Sequence, residues 1–209
     1  MKKKLVYSML CAGLIGCSCA GVATMNKVDA SATQSTNDTF FEMVGGSIRY
    51  DEPTGLRFSA QLDTGSYEVG QSENATYGMV IFPVNVMDKY DIDYTNYNPN
   101  TDYITEIKTE AADYFTYMQN NNKTVTYTVS AVPVAVYDEE DTDLLLHYEV
   151  RASIGDILYD NLSRDFFGVA YKKVGDTYTY AEFSNSTNVR NVSYVASAAY
   201  ADTTVGTAA

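Results

Sequence analysis

Alternation of apolar and polar side chains dominates the middle of this chain. Leu56, Phe58, Ala60 and Leu62 alternate with Arg57, Ser59, Gln61 and Asp63, the pattern of a strand with one face in a core and the other toward water. A shorter strand at 46–50 precedes it. Between them, 51–55 holds Pro53, pre-set in φ, and Gly55, free to take positive φ, so the pair reads as a hairpin. Residues 77–84 are a continuous apolar run suited to the middle of a sandwich. From Thr124, Val125, Tyr127, Val129 and Ala131 alternate with Thr and Ser, and the strand continues apolar to Tyr137. After an acidic loop at 138–143, the return strand places Leu144, Leu146, Tyr148, Val150, Ala152 and Ile154 on one side. Leu145, His147, Glu149, Arg151 and Ser153 take the other, which makes this the clearest hairpin in the chain. Residues 165–174 and 177–183 predict another, about the tight-turn pair Gly175-Asp176.

Two stretches change period. Ile104, Ile107, Ala111, Tyr114, Phe115 and Met118 keep helical spacing on one face, with Thr101 or Asp102 as cap and Asn120 to Asn122 as the stop. A last helix is predicted from about 188 to 201, with Val192, Val195, Ala196 and Ala199 on one face. The acidic, Tyr-rich stretch 88–98 reads as a loop. The sum is α+β, mostly β: an antiparallel β-sandwich of about seven strands with one mid-chain and one C-terminal helix. The domain organisation predicted is a removed signal peptide at 1–32, a linker at 33–43, a single sandwich-like domain at 44–202 and a tail at 203–209.

The N-terminal stretch carries targeting information. A basic Met1-Lys2-Lys3-Lys4 start, an apolar run from Leu5 to Met25 and the small-x-small Ala30-Ser31-Ala32 describe a secretory signal cut after Ala32. The run is about long enough to span a bilayer, so an uncleaved anchor stays open. Leu14-Ile15-Gly16-Cys17 offers a second route, lipidation at Cys17 as in bacterial lipoproteins. All three cysteines, Cys11, Cys17 and Cys19, lie in this segment, so a chain starting at Thr33 has no disulfide framework and no thiolate chemistry. Removing 1–32 takes four lysines and one aspartate from 14 Lys+Arg and 27 Asp+Glu, leaving 10 against 26. So acidic a surface argues against nucleic acid and anionic membrane as partners. With secretion expected, the partner is an extracellular glycan or protein, and no membrane insertion follows signal cleavage.

The string Gly46-Ser47-Ile48-Arg49 followed by Pro53-Thr54-Gly55-Leu56-Arg57-Phe58 is similar to the opening of a domain of uncharacterised function that recurs in secreted and cell-surface proteins of Firmicutes. The segments 169–178 and 189–196 resemble later parts of that domain in the same order. Asn191, where those proteins have a serine, and Val44-Gly45-Gly46 depart from the pattern. The resemblance implies an extracytoplasmic compartment and assigns no activity. On this reading Arg49, Pro53, Gly55, Arg57, Phe58 and Arg190 form a folding signature, in which the turn sets sheet register and seats the helix that Arg190 opens.

The candidate chemistry is sparse. His147, the single histidine, shares a polar strand face with Glu149 and Arg151, without the nucleophile elbow of a Ser-His-Asp enzyme. Tyrosines of the 88–98 loop, Tyr90, Tyr94 and Tyr97, offer rings for stacking on a ligand. These six residues are the candidate binding set, and no catalytic residue is assigned. Asp138, Glu139, Glu140, Asp141 and Asp143 crowd a loop tip that is a weak calcium candidate, since the glycine and spacing of an EF-hand loop are missing. No cofactor is expected. The expected function is a secreted or surface-associated, non-catalytic module binding an extracellular ligand. The alternatives are a carboxylate-dependent, glycosidase-like hydrolase and a structural protein of surface assemblies. For the arginines, pairing with the surplus carboxylates competes with an anion or uronic-acid site.

Overall fold

The structure is a computed structural model that describes residues 40–49 and 54–205. The signal segment, Cys17, Pro53 and the last residues of the tail lie outside the described residues. The fold is α+β with strands predominant, in two antiparallel sheets. The first, sheet A, runs β1 (Phe41–Arg49), β2 (Gly55–Leu62), β6 (Leu145–Gly155), β5 (Val134–Tyr137). The second, sheet B, runs β4 (Thr128–Ala131), β3 (Thr76–Pro83), β7 (Phe166–Val174), β8 (Thr177–Tyr180), and β9 (Val189–Arg190) pairs with the start of β7.

Alternation decides which side chains meet between the sheets. Leu56, Phe58, Ala60 and Leu62 of β2 and Val150 and Ala152 of β6 are buried. Phe58 reaches so far across that a Cβ on Gly168 of β7 would sit 2.4 Å from its ring. The absent side chain at 168 is what lets the sheets close to contact distance there. The apolar run at 77–84 forms β3, hydrogen-bonded on both sides and buried on both faces, as a continuous hydrophobic strand should be. Its second face packs under helices α3 (Tyr103–Glu110) and α4 (Ala112–Asn120). Phe82 lies 5.9 Å from both Tyr114 and Phe115, and Tyr103 lies 5.6 Å from Phe167. The order is therefore sheet A, sheet B, helices.

Several expected elements are redrawn. The strand read at 46–50 begins at Phe41, inside the stretch read as linker, because β1 follows β2 along its length with a bulge between Met43 and Gly45. Beyond β2 it also bonds to the segment after β8: Met43 N donates to Glu182 O at 2.7 Å and Glu182 N to Phe41 O at 2.8 Å. This stitches sheet A to sheet B along one side. The single strand expected over 124–137 is two strands in different sheets. Pro133 has no N–H for a ladder, and the chain crosses between sheets at Val132-Pro133. The mid-chain helix is two helices that change direction at Ala111 (φ −90°, ψ 23°). Asp102 caps the first, accepting from Thr105 N at 3.3 Å.

Helix α1 (Thr64–Ser72), unforeseen in the sequence, is capped by Asp63, which accepts from Ser66 N at 2.8 Å. Its Tyr67 stacks on Tyr148 at 3.7 Å between ring centroids, against one end of sheet A. The loop expected over 88–98 starts with a short helix, α2 (Val84–Lys89). The final helix follows a four-residue turn of helix, α5 (Asn185–Asn188), and β9; it is α6 (Val192–Val205). Arg190 therefore lies in β9, ahead of the helix rather than in its first turn. No helix among the described residues is long and apolar enough to cross a membrane.

Candidate functional site

The outward face of sheet A collects the arginines. On β1, β2 and β6 the positions between the buried ones point away from sheet B, and the pairing register brings them into rows. Ser47 lies opposite Arg57, and Arg49 opposite Gly55. Across the next ladder Arg57 faces Ser153, Ser59 faces Arg151 and Gln61 faces Glu149. Arg49, Arg57 and Arg151 thus fall on one diagonal, each one strand over and two residues along from the last. They line a shared open depression of about 400 Å³, together with Ser153 and Ala152 of β6 and Val129 of β4, so that it reaches from the sheet A face to the edge of β6 beside sheet B. That volume is within the range of small-ligand sites.

Charge makes the arrangement unusual for this chain, whose net charge is −13. Neighbouring positions on the diagonal are about 8 Å apart along the backbone, and two unit charges at that spacing in water repel by roughly 0.5 kcal/mol. Glu149 offsets part of this. It is 7% exposed, and its carboxylate takes the Arg151 Nε–H bond on one oxygen while the other lies 3.7 Å from His147 Nε2. Arg57, half-buried, has no ion pair among the described residues.

Of the six candidate binding residues, the structure groups three on this face. His147, Glu149 and Arg151 stand at alternate positions of β6 with Glu149 between the other two. The tyrosines are elsewhere, on the helix side of sheet B, and each is half-buried. Tyr94 Oη donates to Asp88 Oδ1 at 2.8 Å, and its ring lies 6.5 Å from Phe167. Tyr97 Oη donates to Tyr180 O at 3.1 Å, with its ring 5.6 Å from Phe183. Burial and the bond to Asp88 push the Tyr94 phenol up to about 12. Tyr90 carries the Lys89 ammonium 4.9 Å above its ring. These rings are joined to the core rather than held open for stacking on a ligand.

The folding-signature residues divide between two tasks. Phe58 fills the gap over Gly168, and a Cβ on Gly55 would meet Ile154 O at 1.9 Å, so Gly55 permits the closest approach of β2 to β6. Arg190, 7% exposed, runs across β1 at the two glycines: a Cβ on Gly46 would lie 3.0 Å from its Cγ. Its Nη1 donates to Val189 O at 2.7 Å and its Nη2 to Ser186 O, while Tyr194 covers it at 5.6 Å. Burial pulls its guanidinium below the ordinary arginine range. Arg49 and Arg57 line the open depression. The sequence reading joined these two to Arg190 as structural, and joined Arg151 to the tyrosines. Pairing of β2 with β6, across more than 80 residues of chain, is what regroups them.

At the acidic tip, Asp138 Oδ1 accepts from Glu140 N (2.8 Å) and Asp141 N (2.9 Å), and Asp141 Oδ1 from Asp143 N (3.2 Å). The carboxylates close their own loop. Among the described residues no three His, Cys, Asp or Glu side chains are grouped to hold a metal ion.

No protein-family model, no curated protein and no solved structure matches the chain. What defines it is thus the fold and the face themselves: a two-sheet α+β domain, acidic overall, with three arginines on the outward face of the four-stranded sheet.

Proposed function

We propose that this protein is a secreted or surface-associated, non-catalytic binding module that takes an anionic extracellular ligand on the outward face of sheet A. One observation carries the reading: Arg49, Arg57 and Arg151, from three neighbouring strands, line one open depression in an acidic chain. Guanidinium is the side chain best matched to carboxylate, sulfate and phosphate oxygens, because its fork of donors binds two at once. Glu149 takes the Nε–H of Arg151 and so fixes that guanidinium beside the depression. The basic start, apolar run and small-x-small site of the N-terminus support an extracytoplasmic address, as does the resemblance of the Gly46–Phe58 string to the surface domain of Firmicutes.

Titration of the purified protein with galacturonate, sulfate and inorganic phosphate, each alongside neutral glucose, tests this. Saturable binding of at least one anion is expected, with a loss of about tenfold or more in Arg57→Gln, the scale of one charge-assisted hydrogen bond. Binding that is equal for glucose, or unchanged in both Arg57→Gln and Arg151→Gln, would overturn it.

A second reading, assembly into surface structures, is favoured by the edge strand β5. Its outer ladder is unpaired among the described residues, and Val132 (81% exposed), Val134, Tyr137, Leu144 and Leu146 expose apolar surface along that hairpin. A mass in solution of two or more chains that reverts to one in Val134→Lys would support this reading; a monomer at high concentration would remove it.

A further inference from the structure

We infer that the anionic partner of the sheet A face is an extended peptide segment in which acidic and apolar residues alternate, and that it binds by adding a strand to the free edge of β6. The inference rests on the proposed function and names its partner class.

The edge exists because β5 is short. β5 pairs with β6 only from Leu145 to Glu149, and upstream of Val134 the chain crosses at Val132-Pro133 to sheet B. Pairing of β6 with β2 continues to Gly155. Beyond Glu149, β6 therefore has a neighbouring strand on one side only. The register says which groups face the empty side. Asp156 N donates to Thr54 O at 3.1 Å, one step past the pair Gly55↔Gly155. Hydrogen-bonded pairs alternate along an antiparallel ladder, so even-numbered residues of β6 turn N–H and C=O to β2 and odd-numbered ones turn theirs away. On the odd side Glu149 is paired with Val134 of β5, whereas Arg151, Ser153 and Gly155 meet no backbone partner among the described residues. Donors and acceptors at a two-residue repeat are what an added strand pairs with. A sugar chain has no ladder of that repeat to return.

The side chains around the edge define what the strand carries. Arg57, Arg151 and Ser153 line the outward part of the depression, and Ala152 and Val129 of β4 line the part toward sheet B. In an added strand, residues paired with Arg151 and Ser153 point outward, and the one opposite Ala152 points inward, beside Val129. Arg57 stands opposite Ser153 on β2 and makes no ion pair among the described residues. Only the short Ser153 side chain lies between it and the new strand. A carboxylate opposite Ser153 can thus meet Arg57 and leave Glu149 on Arg151. Acidic outward and apolar inward is the pattern that results. A second copy of this chain suits the edge poorly, because pairing two β6 edges would gather Arg57 and Arg151 of both copies on one face.

The test uses a blocked heptapeptide alternating valine and glutamate, titrated into the purified protein. In the added strand its glutamate N–H groups face β6 and its valine N–H groups face away. Methylating the glutamate nitrogens should weaken binding about tenfold or more, the scale of a lost hydrogen bond, while methylating the valine nitrogens should leave it within about twofold. Glutamine in place of glutamate, or Arg57→Gln in the protein, should each lower affinity about tenfold or more. In the complex, amide hydrogen exchange at Arg151 and Ser153 should slow about tenfold or more, and that at Ala152, already bonded to β2, should stay as it is. Equal effects of the two methylation patterns, or no added protection at Arg151 and Ser153, would overturn strand addition. The anion-binding function would still stand if galacturonate or sulfate binds and Arg57→Gln weakens it. Tighter binding of trigalacturonate than of the peptide would also overturn the peptide inference. Absence of binding by the peptide and by every small anion would overturn both readings. Folding of the protein and its variant is read independently from the near-ultraviolet tyrosine spectrum.

Discussion

Phe58 and Gly168 are a matched pair across the two sheets, one oversized and one without a side chain. A methyl at 168 would stand 2.4 Å from the Phe58 ring, so Gly168→Ala should overpack the core and cost about 1–3 kcal/mol in urea unfolding. Phe58→Leu in the same chain should recover part of that loss, giving a non-additive double-mutant cycle; strict additivity would show that the pair is not in contact. That Phe58 faces a core was legible from the alternation of β2. Its partner was not, because residues 58 and 168 are joined by no local rule and meet only when the sheets stack. The same holds for Gly45 and Gly46. Their presence announces a place where something must pass close by, but the Arg190 stem that passes there arrives from 144 residues further along. Arg57 shows the limit more sharply. Its strand position was readable, whereas its neighbours on either side are set by two ladders, only one of them local.

Among the elements, α3 is held by a cap that also ties it to sheet B. Asp102 accepts from Thr105 N (3.3 Å), Thr105 Oγ1 (2.7 Å) and Tyr180 Oη (2.6 Å). Burial alone would raise this carboxyl, but the hydrogen bonds from Tyr180 and Thr105 together hold it below its ordinary 3.8. A carboxyl depressed on folding adds stability that is complete above its unfolded value and fades as pH falls through the folded one. Asp102→Ala should therefore cost about 1–2 kcal/mol at pH 7, and the gap from the parent should narrow at pH 2.5. A gap of the same size at both pH values, by urea unfolding, would contradict this account. The cap itself was visible in the sequence, and so was the helical period after it. The break at Ala111 was not, since apolar spacing continues through it. Pro133 was a legible breaker inside the run 124–137, yet the long alternation masked it: local period is the same whether the next residues stay in one sheet or cross to the other. Helix α1 was hidden for a different reason. Thr64–Ser72 carries two glycines and only a faint apolar stripe, so its existence depends on the Asp63 cap and on Tyr67 docking against Tyr148.

At the scale of the whole molecule, the arginine row works against the field of its own protein. The chain carries −13, so an anion approaching at low ionic strength meets long-range repulsion before it reaches the arginines of the depression. The two influences have different ranges. Repulsion from carboxylates spread over the domain acts across tens of ångströms and is screened once the Debye length falls to about 10 Å, near 0.1 M salt. The contacts with Arg49, Arg57 and Arg151 are short, and weaken only at higher salt. Affinity for the anion that the proposed site binds, such as galacturonate, should consequently pass through a maximum as sodium chloride rises from about 0.01 M to 1 M, with the rising limb carried by the association rate. A basic polyanion-binding protein would instead lose affinity steadily over that range as counterions are released. Stopped-flow association rates and titration calorimetry at five or six salt concentrations distinguish the two. A monotonic fall from the lowest salt would mean that the arginine face alone governs encounter and that the acidic remainder is electrostatically silent. A maximum that vanishes when acidic residues outside the depression, such as those of 138–143, are changed to their amides would show that the overall charge opposes the approach of anions.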